Sequence, residues 1–389
     1  MKDYFMKDQP IRFVFPIDGD CINDRDGTPI DGGVRITVKV EAPEGADMYL
    51  SGVKMQYKDG LFFGEADIRG FRNTLVANDA SSGMQAKIVV LYLQQTVGYF
   101  RISSDDNIRF LQDINDHKDE YKSIFDNPYL AVYKKAHDLY GAKIHLNLFY
   151  EFEDAARKMF SKERAYFNLS MMTDKFKDEF TANSDWLKLA FHSKGETPAY
   201  PYEFAEAKTI MDDCIAVHRE IVRFAGEKCI SNSTTVHYGR ANHECMRALR
   251  SMGYRSFTGY FTLGKDGRPS VSYYAPAELV KYVTKRDFWY DSEEDILFAR
   301  IDRVTNLGTL DECMAAIADT VSDPHRGGFV SIMIHEQYFY SDYKRYLPDF
   351  EARVLEPCKY LYEHGYIGAH ISDITRESDL RDYSAFHKQ

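Results

Sequence analysis

No stretch of about 18 apolar residues occurs, so no segment reads as a bilayer-spanning helix. Compact runs of Lys and Arg are missing too, and the formal net charge is −11. That balance argues against nucleic acid or an anionic membrane as a partner, since both are held by clustered cations. The six cysteines (Cys21, Cys214, Cys229, Cys245, Cys313 and Cys358) are scattered and form no C-x-x-C pair. A thiolate zinc cluster and a dense disulfide framework are therefore not expected. The opening residues, MKDYFMKDQP, carry no apolar core of a secretory signal, so cytoplasmic residence is the expectation. Short-period repeats and low-complexity segments are absent as well.

What is present is an ordinary folded composition, 44% hydrophobic and 28% charged, over 389 residues. That length suggests two domains, or one large barrel with an appendage. Aromatics are abundant at 14%, a supply that serves core packing and could also stack on sugar rings. Val34, Ile36, Val38 and Val40 alternate with Arg35, Thr37 and Lys39, the period of a half-buried strand. Further short strands are expected at Met48–Leu50, Val53–Tyr57, Leu61–Ile68 and Gln85–Leu93, separated by turn signals such as Lys58-Asp59-Gly60. Residues 1–97 thus read as an immunoglobulin-like β-sandwich. The acidic stretch Asp18–Gly27 fails the spacing of a calcium loop and reads as a polar loop.

Beyond Gly98 strands alternate with helices. Strands are expected at Tyr99–Ser104, Lys143–Tyr150, Trp186–His192, Ile230–His237, Tyr254–Phe257, Ile296–Val304 and Gly328–Ile334. Helices are expected at Ile108–Ile114, Phe204–Phe224, Glu244–Met252 and Tyr346–His364. Such βα repetition predicts a parallel sheet or a (β/α) barrel over residues 98–389, with chemistry at the C-terminal strand ends.

Polar residues gather at those ends. Ser103-Ser104-Asp105-Asp106-Asn107 brings two adjacent carboxylates, one able to hold a metal while the other handles a proton; helix capping is the plainer role. His192-Ser193-Lys194-Gly195-Glu196 spaces an imidazole and a carboxylate so that both could reach one ion. His237-Tyr238-Gly239-Arg240 and His335-Glu336-Gln337 each deliver a histidine at a strand end, and a histidine near its working pKa suits acid catalysis. Asp302 could orient a histidine or simply pair with an arginine, Glu151 could face the same pocket, and Trp289 could stack on a sugar or fill a core.

The order of these clusters resembles the NodB-type polysaccharide deacetylase family over about Gly98 to Asp373. SSDDN is similar to its TFDDG motif, which implies Asp105 as general base and Asp106 as metal ligand. His192–Glu196 matches H-S-x-x-H except that Glu196 stands where the second imidazole belongs. His237-Tyr238-Gly239 occupies the place of R-x-P-Y and differs from it, so His237 could complete the metal shell instead. His335 looks like the family's general acid, with Asp302 in the role of its neighbouring Asp. The resemblance implies a deformed NodB-like (β/α) barrel, a divalent metal, zinc by default, held by Asp106, His192 and either Glu196 or His237, and hydrolysis of acetyl groups from a carbohydrate. Two rivals stand beside it: a carbohydrate-binding protein that has lost catalysis, and a metal-independent glycoside hydrolase working with two carboxylates.

Overall fold

The computed structural model describes residues 4–93 and 98–375. The boundary expected at residue 97 lies outside the described residues. The protein is mixed α/β and divides into two compact units, 1–96 with Lys285–Phe298, and 97–284 with 299–389. Residues 285–298 therefore group with the N-terminal unit and not with their chain neighbours. Among the described residues no helix is long and apolar enough to cross a membrane, and all six cysteines are unpaired and buried.

The first unit contains two five-stranded sheets. In one, Gly33–Glu41 pairs antiparallel with Arg12–Phe15, Thr28–Ile30 and Leu61–Arg69, and the last with Gln56–Lys58. In the other, Arg72–Asp79 lies between Gln85–Tyr92 and Met48–Leu50. The alternation along Gly33–Glu41 places Val34, Ile36, Val38 and Val40 in the interior and Arg35 and Thr37 in solvent. These four valine and isoleucine side chains meet Leu50, Leu75, Ile88 and Val90 of the other sheet in a single apolar core. Burial of each such side chain contributes about 1.5–3 kcal/mol. Trp289 is buried against Tyr4 and Phe298, so it packs a core and offers no face to a sugar. In the acidic stretch, Asp20 and Asp26 meet the Arg286 guanidinium, and Asp18 accepts hydrogen bonds from the Val89 amide and the Ser292 hydroxyl.

The second unit is built on parallel strands: β1 (Tyr99–Asn107), β2 (Ile144–Phe149), β3 (Leu187–Ser193), β4 (Ser233–Thr234), β5 (Ser256–Gly259), β6 (Arg303–Val304) and β7 (Phe329–His335). β1 lies between β7 and β2, and β2 pairs with β3. Leu189 of β3 bridges Ile230 just ahead of β4, and β4 pairs with β5. The Ile301 amide donates to the carbonyl of Gly259, the last residue of β5, and β6 pairs with β7. Of these strands β1, β2 and β7 each have a hydrogen-bonded strand on both sides, and the paired strands run in the same direction.

The expected strand at Ile230–His237 shortens to Ser233–Thr234. The Ser231 hydroxyl accepts from the Ser233 amide, a local bond that competes with the ladder, and at Tyr238 and Gly239 the chain turns through positive φ. The expected helix from Phe204 starts at Ala207, and the one from Tyr346 starts at Phe350, after Pro348. The strand Arg72–Asp79 and the helices Pro128–Tyr140 and Leu310–Ser322 fall outside the sequence expectations, although both helices carry plain start signals: Asn127 before Pro128, and the Thr309–Glu312 capping box.

Candidate metal centre

At the C-terminal end of β1 the register against β2 slips between Ser104 and Asn107, and Asp106 adopts φ of +62°. The left-handed turn costs free energy in a non-glycine residue. It also breaks the strict alternation, so adjacent Asp105 and Asp106 both line one cavity of about 410 Å³. Asn107, the third polar residue there, is buried as a brace: its amide donates to the Ser104 and Asn147 carbonyls and accepts from the Tyr129 hydroxyl.

Among the described residues, Asp106, His192 and His237 form a group of ligand-type residues whose donor atoms lie within 4.8 Å of one another. His192 Nε2 is 3.1 Å from Asp106 Oδ1, His237 Nδ1 is 3.1 Å from His192 Nε2, and His237 Nδ1 is 3.5 Å from Asp106 Oδ1. An ion with four bonds of about 2.0–2.1 Å sets its donors about 3.3 Å apart, so the three donors fit the edges of such a shell. The outer partners point the same way. His192 Nδ1 donates to the Thr235 carbonyl, and His237 Nε2 donates to the Glu196 carbonyl at 3.2 Å. Each ring then presents an unprotonated nitrogen to the other and to the carboxylate. Three acceptors facing one point need a positive charge between them. Protons feel the same demand. Burial disfavours charge on both groups, yet the histidines hold the Asp106 carboxyl well below the usual range, and the charges of Asp105 and Asp106 raise His192.

Glu196, expected opposite His192, lends its main-chain carbonyl and lies outside the donor cluster. Its carboxyl lines the cavity and is pushed up to about 8 by burial and by the charges of Asp106 and Glu153. His237 is brought in by the tight turn Val236–Gly239. Gly239 has φ of +54°, and a Cβ there would meet Val271 Cγ1 at 2.7 Å. The Phe149 ring packs against both imidazoles.

His335 stands at the end of β7 with Nε2 4.0 Å from Asp106 Oδ2. Its expected partner, Asp302, is not beside it. Asp302 Oδ2 accepts from the Ser331 amide, and Arg300 approaches the other oxygen at 3.8 Å. Burial pushes that carboxyl up to about 6. Asn306 takes the place instead: its Oδ1 accepts from His335 Nδ1 at 2.8 Å and from the His335 amide at 3.2 Å. Asn306 sits two residues past β6, a strand-end polar residue that a search for carboxylates passes over. Gln337, also unanticipated, donates from Nε2 to Asp106 Oδ2 at 2.9 Å. The intervening Glu336 faces the other way, its buried carboxylate accepting from the amides of Ile108, Arg109 and Phe110 at the start of the Arg109–Asp116 helix. Glu151 is half-buried and accepts from the Tyr166 hydroxyl; it does not line the cavity.

Fold and site together define a mixed α/β protein with an Asp–His–His cluster suited to a divalent cation at the strand-end rim. No known family profile matches the chain, and no curated protein does. Among solved structures it is similar to a family 4 acetyl xylan esterase from Clostridium thermocellum in complex with a cobalt ion, with 11% identity and a TM-score of 0.40 over 74% of this chain and 96% of that one. It is also similar to a 4-alpha-glucanotransferase from Thermococcus litoralis, with 11% identity and a TM-score of 0.42 over 72% of this chain and 40% of that one. A CE4 family pseudoenzyme from Bacillus anthracis follows at 12% identity and a TM-score of 0.31, over 73% and 67%. Likenesses this weak establish neither a shared fold nor a shared chemistry.

Proposed function

We propose that the protein is a divalent-metal-dependent hydrolase, of the deacetylase kind, acting on an acetylated carbohydrate. Residues 98–389 would form its NodB-like deformed (β/α) barrel, and residues 1–97 an accessory immunoglobulin-like sandwich. The observation that carries this reading is the convergence of Asp106 Oδ1, His192 Nε2 and His237 Nδ1, with both imidazole tautomers set by outer carbonyls. Two nitrogens and one oxygen suit zinc. When bound, such an ion polarises a carbonyl and makes water acidic enough to attack near neutral pH.

The chain's own groups supply the proton traffic. Asp105 spends Oδ1 on the Asn147 amide and keeps Oδ2 free to accept a proton from water. His335, its Nδ1–H tied to Asn306, presents Nε2 to the cavity and gives a proton there to the departing alkoxide or amine. Gln337 fixes the second oxygen of Asp106, and Met159, Leu307 and Val271 line the cavity with apolar surface that limits water.

The test is elemental analysis of purified wild type and Asp106→Asn, with turnover on a panel of acetylated sugars before and after chelation. One equivalent of metal in wild type, none in the variant, and activity lost on chelation support the proposal. Turnover that survives chelation favours a two-carboxylate glycoside hydrolase. Metal-free, inactive protein that still binds glycans favours a binding protein.

A further inference from the structure

Arg101, on β1, is fully buried, and among the described residues no carboxylate is in ion-pair contact with it. Its guanidinium meets Ser331 Oγ, Thr258 Oγ1 and His145 Nδ1, at 3.2, 3.2 and 3.4 Å. Burial lowers its pKa only to about 10, so it stays charged at neutral pH. The bonds leading upward from it have one allowed direction. A guanidinium only donates, so His145 Nδ1 must accept. The ring proton then sits on Nε2 and is donated to Asn147 Oδ1 at 3.0 Å. That oxygen also accepts from the Thr235 main-chain amide at 3.4 Å, a group that can only donate, which fixes which end of the Asn147 amide is which. Asn147 Nδ2 is left to donate to Asp105 Oδ1 at 2.6 Å. A side branch runs from Arg101 through Thr258 and Thr235 and reaches the same Asn147 nitrogen at 3.4 Å.

We propose that Arg101, His145 and Asn147 form a one-way hydrogen-bond relay that positions the Asp105 carboxylate, anchoring Oδ1 and leaving Oδ2 as the proton-accepting atom in the cavity. The proposal rests on the reading of Asp105 as the base of a hydrolase. All three are positioning residues: none of them lines the cavity. The physical logic is polarisation. A buried charge at one end orders each dipole in the chain, and every bond strengthens the next in a dry interior. A second proton on His145 would sit on Nδ1 and set that N–H against the guanidinium, a group that offers no acceptor. Burial and the Arg101 charge accordingly hold the His145 imidazole neutral.

The experiment has a spectroscopic arm and a kinetic arm, both on the full-length zinc-loaded protein. In ¹⁵N spectra of the histidine rings, His145 is expected to stay neutral with its proton on Nε2 between about pH 5 and 9. A ring protonated in that range, or one carrying its proton on Nδ1, overturns the relay whether or not any acetyl group is cleaved. In the kinetic arm, His145→Phe should lower kcat about 10- to 100-fold with KM and metal stoichiometry unchanged. His145→Gln, which can accept and donate in the same direction, should recover most of the loss. Neither change should matter further in an Asp105→Asn background. Equal losses in both backgrounds, or a fall in metal content, overturn the proposal. Inactive wild type with an Nε2–H ring defeats the hydrolase reading and leaves the relay standing.

Discussion

The two units each hold a buried cluster, and the two clusters are built in opposite ways. Between its two sheets the first places valine, isoleucine, leucine and methionine in one apolar cluster. Between its strands the second buries Arg101, His145, Asn147, Thr234, Thr258 and Ser331. The first arrangement maximises burial of apolar area and needs only shape and pattern. The second exposes each group to the cost of desolvation, which the hydrogen bonds among these side chains offset. An interior of that kind fixes orientation at the expense of stability, and it lies directly under the residues for which orientation matters.

The sharpest way to break this contrast is a charge in the apolar interior. Val38→Asp should cost about 4 kcal/mol or more, because an ionised carboxylate there has no partner. Urea denaturation should show early loss of the first unit, while zinc titration of the same protein stays near the wild-type affinity. Loss of zinc binding would mean that the two interiors are not separable in this sense.

At the metal cluster the comparison narrows to two neighbours. His237→Ala removes a donor from the three-membered set and should weaken zinc binding by about 100-fold or more. Glu196→Gln keeps the carbonyl that holds His237 and should leave binding within about threefold, as read by competition with a chromogenic chelator. The reverse ranking would restore the ligand set of the H-S-x-x-H pattern.

These cases show what the sequence makes legible. Strand-end clusters could be read because strand and motif coincide: Asp105, Asp106, His192, His237 and His335 all line the cavity. The alternation of Val34 to Val40 was equally plain, since one face is dry and the other wet. The choice between Glu196 and His237 was not legible. It depends on a turn through Tyr238 and Gly239 that a one-dimensional spacing does not encode. Asn306 and Asn147 were missed for a related reason. Amides carry no charge pattern, and a polar residue inside a strand reads as a surface position unless its partners are known. Residues 285–298 grouping with the N-terminal unit is a long-range event of the same sort.

The partner of His335 gives a smaller effect. Asn306→Leu should lower kcat about 10-fold, by freeing the imidazole to rotate, with metal content unchanged. Asp302→Asn, which sits away from that ring, should change kcat by less than about twofold. A larger loss from Asp302→Asn would return that carboxylate to the site.

The smallest expected effect concerns acid stability. Burial alone would raise the Asp342 carboxyl, but hydrogen bonds and charge from Arg164 and Arg109 outweigh it and hold the group below the ordinary range. A depressed folded-state pKa means that the unfolded chain binds the proton more readily. The stabilisation is therefore complete above the unfolded-state pKa of about 3.9 and is lost as pH falls through the lower folded value. Urea midpoints measured from neutral pH down to about pH 2.5 should decline in wild type and less steeply in Asp342→Asn, which starts lower at neutral pH. Like the relay under Asp105, this cluster is a polar contact in the second unit, but it ties Asp342 to Arg164 and to Arg109 at the start of a helix and reaches no proposed reacting atom. Its loss should register in the midpoint and leave kcat untouched, which separates polar interiors that brace the fold from those that aim a carboxylate.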